Sequence, residues 1–228
     1  MNTLVLATAT FIGIHFLIAG TPIRAALVGM IGEKAFQALF FLAALLALVW
    51  MFTAYGQAPR TTLWEVPAGL NGLFMLLNLI ACLFVAAGLT VKNPSTLWMD
   101  KMLHGEQVVT GFLRITRHPM NMGLALWALA HVLQTGEAAS LVLFGGIFTL
   151  AALGPMGIDA KRHQAYGEQW EKFVAQTSYL PFGAILSGRN KLVIGELGWW
   201  RLGLGVLLFV ALVYVHGQMT GVEVPLPW

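Results

Sequence analysis

Six stretches of the chain contain no Asp, Glu, Lys or Arg: Met1 to Ile23, Ala35 to Pro59, Val66 to Val91, His118 to Gly136, Ala138 to Ile158 and Leu202 to Val222. Each is at least 19 residues long. A helix needs roughly 20 apolar residues to cross a hydrocarbon core of ~30 Å. Backbone groups in lipid must bond to one another, so such stretches are expected to be helices. The pattern predicts an all-α, polytopic membrane bundle of six transmembrane helices. The expected span cores are 3–19, 36–54, 69–89, 119–134, 139–157 and 202–217. Met-Asn-Thr-Leu has no basic leader, so the first stretch is expected to stay as a span. One transmembrane domain over 1–228 accounts for the whole pattern.

The connections are the charged part. Twelve basic residues are Arg24, Lys34, Lys92, Lys101, Arg114, Arg117, Lys161, Arg162, Lys172, Arg189, Lys191 and Arg201; the chain has 13 in all. Six spans put these twelve on one side and only Arg60 on the other. Basic loops face the cytoplasm, so both termini are expected to face outward, in a bacterial inner membrane. Gly136-Glu137 reads as a tight turn between two spans. Asn93 to Arg117 carries Trp98, Met102, Val109 and Phe112 at roughly helical spacing, which predicts a helix at the interface. Tyr166, Trp170 and Phe173 form an apolar stripe on a second cytoplasmic helix. Trp64, Trp199, Trp200 and Trp228 fall near predicted boundaries, as an aromatic belt would.

Composition agrees. The chain is 58% hydrophobic and 10% charged, against about 25% charged for a soluble domain. That excludes an ordinary soluble globule. The net charge of +3 implies no nucleic acid, because in a membrane protein basic residues report topology first. The lone Cys82 excludes an intrachain disulfide and a multi-cysteine metal site.

The informative residues are then the polar ones within spans. His15 lies in the first span and His131 in the fourth. Such histidines either hydrogen-bond between helices or ligate a metal. Neutral imidazole is a good iron ligand, and two from two helices can clamp a haem. Upright helices would set the pair at depths differing by roughly 10 Å. Asn71 and Asn78 are expected to be interhelical glue, and His216 to be interfacial. At the edge of the fourth span stands Arg114-Ile-Thr-Arg117-His118-Pro119. Pro119 suits a first helical turn. Arg117 and His118 beside that helix end suit an anion, such as a haem propionate, a nucleotide or a lipid phosphate. A basic anchor is the other reading. Asp159-Ala-Lys161-Arg162-His163 is expected to join this surface.

These residues sit in segments that resemble the NnrU family of bacterial inner-membrane proteins. They are His15 before Thr-Pro-Ile-Arg24, Gly-Glu33-Lys-Ala-Phe, Ala-Pro59-Arg-Thr-Thr-Leu-Trp64, Thr-Arg117-His118-Pro119, Leu126-Trp127-Ala-Leu-Ala-His131 and Phe144-Gly-Gly. The resemblance implies a role linked to nitrite and nitric oxide reduction. It also points to the family's plant and cyanobacterial relative, zeta-carotene isomerase, which uses haem b. That relative's two histidine ligands fall on His15 and His131. Its cysteine three residues before the second histidine is Ala128 here. The implied roles are a haem b protein with a redox, sensing or accessory function, a haem-dependent cis–trans isomerase of a polyene, or a non-catalytic assembly factor. A weaker resemblance is to isoprenylcysteine methyltransferases and membrane sterol reductases. It rests on Arg117-His118-Pro119-Met-Asn121-Met-Gly123 and Tyr166-Gly-Glu168-Gln-Trp170.

Overall fold

The computed structural model describes residues 1–18, 21–96, 99, 102–103, 105 and 108–221. The helices are α1 (Asn2–Gly13), extended by a π-helical turn over Ile14–Ile18, then α2 (Ile23–Ile31) and α3 (Glu33–Gly56). They continue with α4 (Asn71–Thr90), α5 (Phe112–Ile115), α6 (Pro119–Thr135) and α7 (Ala138–Tyr166). The last are α8 (Glu168–Gln176), α9 (Gly183–Leu186) and α10 (Trp199–Thr220). No strand occurs among the described residues.

Every charge-free stretch carries a helix among its described residues. Length and apolarity qualify four helices as membrane spans: Glu33–Gly56, Ala68–Thr90, Ala138–Tyr166 and Trp199–Gln218. They qualify a fifth if Asn2–Ile18 and Ile23–Ile31 form one bent span. Among the described residues the chain is thus a helical, membrane-type protein with four to five candidate spans. The remaining charge-free stretch forms α6, whose 17 residues reach roughly 25 Å. Pro119 opens it and Gly136 closes it.

By its contacts the chain forms two compact units, Met1–Pro67 with His131–Leu150, and Ala68–Ala130 with Ala151–Trp228. The first has a core of small and aliphatic side chains. Leu4, Ala7 and Thr8 of α1, Ala47, Met51 and Ala54 of α3, and Ala139, Ser140, Leu143 and Phe144 of α7 are buried. Small residues let helix backbones approach closely, which is how helices associate in lipid. Gly146 shows the limit: a Cβ there would lie 2.3 Å from Thr8 Cγ2. The turn between α6 and α7 is as tight as expected. Gly136 has φ +64 and its carbonyl accepts the Leu63 N–H at 2.7 Å.

In the second unit, Phe84 and Ala87 of α4 pack with Phe112, Ile115 and Met122. The Tyr166 stripe is found where it was expected: Trp170 and Phe173 are buried with Val109 and Leu113, and Tyr166 packs against them. The helix expected over 93–117 is not formed among the described residues. Trp98 lies outside them. Asn93–Ser95 is a turn, with the Ser95 N–H bonded to Asn93 Oδ1. Gly111 at φ +55 confines the helix to four residues, Phe112–Ile115. Val109 and Phe112 therefore enter different clusters. Asn78 also departs from expectation, since its Nδ2 donates to Phe74 O of its own helix at 2.8 Å. The carbonyl one turn back is its nearest acceptor.

Candidate functional site

His15 sits in the π-helical turn Ile14–Ile18. Such turns are rare and concentrate at functional sites. Its Nδ1 lies 2.8 Å from Phe11 O. A carbonyl only accepts, so Nδ1 carries a proton, and in the neutral ring it is Nε2 that holds the lone pair. This is the tautomer a metal-binding imidazole needs, and the Phe11 carbonyl is the kind of outer partner that orients one. The half-buried ring packs on Phe11 at 4.7 Å and meets Phe40 of α3 edge-on at 5.5 Å. Phe40 in turn stacks on Phe36. The setting is aromatic and apolar.

His131, on α6, belongs to the same unit. Its ring centroid is 4.7 Å from that of Phe144. Phe144 meets Tyr55 at 5.9 Å, and the Tyr55 hydroxyl lies 2.9 Å from Ser140 Oγ. A Cβ at Gly146, two residues from Phe144, would meet both Thr8 and Ile12 of α1. His15 lies three residues beyond Ile12.

Arg117 and His118 belong to the other unit. Arg117 Nε donates to Asp159 Oδ2 at 2.9 Å, and Nη2 donates to the same oxygen. His118 Nε2 donates to Asp159 Oδ1 at 2.8 Å. Arg117 is 9% exposed and His118 2%. Asp159 joins the surface as the sequence suggests, and it satisfies both side chains within the chain. Backbone bonds hold the group in place: Asn93 Nδ2 and Ser95 Oγ donate to Arg117 O, and the Arg117 N–H donates to Ser178 O. The His118 ring faces the edge of Tyr179 at 6.0 Å. Burial first, then the Asp159 charge, push the Tyr179 phenol above its ordinary range. A groove of about 600 Å³ beside the cluster is lined by Arg117, Asp159, His163, Trp170 and Glu171 among others.

A second ion pair escapes sequence reasoning altogether. Arg114 donates through Nε to Glu196 Oε2 at 2.7 Å and through Nη2 to Oε1 at 3.0 Å. The Gly111 N–H adds a third bond to Oε2 at 2.9 Å. Nothing in the local pattern pairs residues 82 positions apart. The Arg114 bonds, and then the Gly111 N–H, hold the Glu196 carboxyl below its ordinary range. A depressed folded value stabilises the fold above the unfolded value of about 4.3. That stability is lost as pH falls through the folded value. Glu196→Gln should cost about 1 kcal/mol at neutral pH, discounted for the pair's partial exposure. Unfolding of both proteins in detergent, at neutral and strongly acidic pH, tests this. A difference that persists undiminished in acid would refute the charge argument.

The family model described as "NnrU protein" matches residues 3–224. A relative from Zea mays, "15-cis-zeta-carotene isomerase, chloroplastic", is 29% identical over 208 residues, covering 87% of this chain and 56% of its own. The protein of the same name from Arabidopsis thaliana is 30% identical over 169 residues, covering 72% of this chain and 45% of its own. The chain therefore spans about half the length of the curated relatives it matches. No solved structure is significantly similar to it. With a family match over nearly its whole length, the chain belongs to the NnrU family.

Proposed function

We propose that this protein is a membrane-embedded cis–trans isomerase of a long apolar polyene, working with one haem b held by His15. The observation that carries the reading is the His15 geometry: an imidazole in a π-helical turn, tautomer set by Phe11 O, with an Nε2 lone pair in an aromatic setting. The polyene is suggested by the relatives' names. In this reading the six helical stretches all cross a bacterial inner membrane. Both termini face outward and the basic loops face the cytoplasm, as the distribution of Lys and Arg favours.

The donor chemistry at His15 fits a haem, and the rings of Phe11, Phe36 and Phe40 suit a flat apolar group. Arg117 and His118 already share the Asp159 carboxylate as their anion. Held by His15, a haem would supply the iron chemistry for turning a double bond. The chain's own part is to hold and orient His15 and to keep water from an apolar substrate. His131, beside Phe144, is the second candidate ligand.

Expression in a bacterial host that accumulates the 15-cis polyene, followed by chromatography of extracted pigments, tests the activity. Conversion to the trans isomer is expected, and its loss in His15→Ala. Unchanged isomer ratios with fully haem-loaded protein would overturn the isomerase. They would favour a redox or sensing role linked to nitrite and nitric oxide reduction. Unchanged ratios with no Soret band, despite adequate haem supply, would overturn the haem as well and favour a non-catalytic assembly role.

A further inference from the structure

Between Tyr179 and the start of α10 the chain makes a segment clamped on one side and bare on the other. The clamps are polar. Thr116 Oγ1 donates to Tyr179 O, and the Phe182 N–H donates to Ile115 O. Arg114 ties down Asn190 and Glu196. Arg189 Nη1 donates to the carbonyls of Val174, Ala175 and Thr177 near the end of α8. Tyr179 and Leu197 point inward, onto the Phe84 and Phe112 cluster.

The opposite side is apolar and uncovered. Leu180, Leu186, Ile194 and Trp199 are 65%, 85%, 58% and 71% exposed. Phe182 takes a left-handed φ of 65, a conformation bulky residues rarely adopt, and still exposes its ring. Exposed apolar surface of this kind, rimmed by polar groups, marks an interaction site. The rim is basic: Arg189, Lys191 and Arg201, whose guanidinium lies 4.6 Å over the Trp200 ring. Glu196 is the only carboxylate between 180 and 200, and Arg114 neutralises it. Trp199 and Trp200 open α10, a candidate span, which places aromatic rings at a helix entry as membrane interfaces favour.

We propose that residues 180–200 form an interfacial foot, seated in the headgroup–acyl boundary of an anionic lipid leaflet where α10 begins. The proposal rests on α10 crossing the bilayer. The test labels single cysteines with bimane in a Cys82→Ala background, reconstituted into vesicles containing anionic phospholipid. The three sites are Leu186→Cys on the foot, Val210→Cys within α10 and Glu168→Cys on exposed α8. Lipid-attached nitroxide is expected to quench the labels at 186 and 210 several-fold more than the label at 168. Aqueous iodide should show the reverse order. Strong iodide quenching at 186, with 210 still quenched by nitroxide lipid, overturns the foot alone. Iodide quenching at both overturns the membrane reading of α10. A label at 186 shielded from both quenchers overturns the lipid as occupant, in favour of a protein partner or second copy.

Discussion

Asp159→Asn is expected to destabilise the folded protein by about 3 kcal/mol, near the lower end of what removing one partner from a buried ion pair costs. The reason is what remains behind. Arg117 is 9% exposed, and its Nε and Nη2 both bond to Asp159 Oδ2. Neutralising the carboxyl leaves that guanidinium buried without its counter-charge. His118, 2% exposed, loses its charged acceptor in the same step. For a chain of this size the midpoint of thermal unfolding in detergent should fall by roughly 6–12 °C. The charge argument makes a second demand. Combining Asp159→Leu with Arg117→Met and His118→Phe removes all three polar partners at once and should restore most of the lost stability. A triple variant as unstable as Asp159→Asn would show that the shape of the cluster, not its charge, holds this part of the fold.

The helices were legible because lipid leaves a chain few alternatives. A charge-free stretch has to satisfy its own backbone, and each of the six carries a helix among its described residues. Tyr166, Trp170 and Phe173 were legible for a related reason. Helical spacing reports which side chains share a face, and these three share a buried one. The same spacing misled between Val109 and Phe112, where the positive φ of Gly111 breaks the backbone that would have carried it. Span length was only partly legible: the stretch from His118 to Gly136 contains no charge, but Pro119 and Gly136 bound a helix of 17 residues. Glu196 was not legible. Its partner lies in a different loop, and periodicity does not report which loops meet. His15 stood out as a histidine where charge is missing, yet its tautomer depends on the Phe11 carbonyl four residues earlier. That bond exists only once the helix is built.

The second large effect concerns that histidine. Purified His15→Ala should show no Soret band under conditions in which the parent protein is fully haem-loaded, while His131→Ala should keep it. Added imidazole should restore the band to His15→Ala by supplying the missing ligand, which a merely unfolded variant would not allow. The asymmetry follows from the two settings. His15 presents a lone pair fixed by Phe11 O, among the rings of Phe11 and Phe40. His131 lies against the Phe144 ring, centroids 4.7 Å apart. Loss of the band in both variants, with imidazole rescuing each, would mean that one iron reaches both rings. Gly146→Leu would separate the cases, because it wedges apart the close approach of Gly146 to Thr8. Haem binding through His15 alone tolerates such a change better than a clamp that needs α1 and α6 in register.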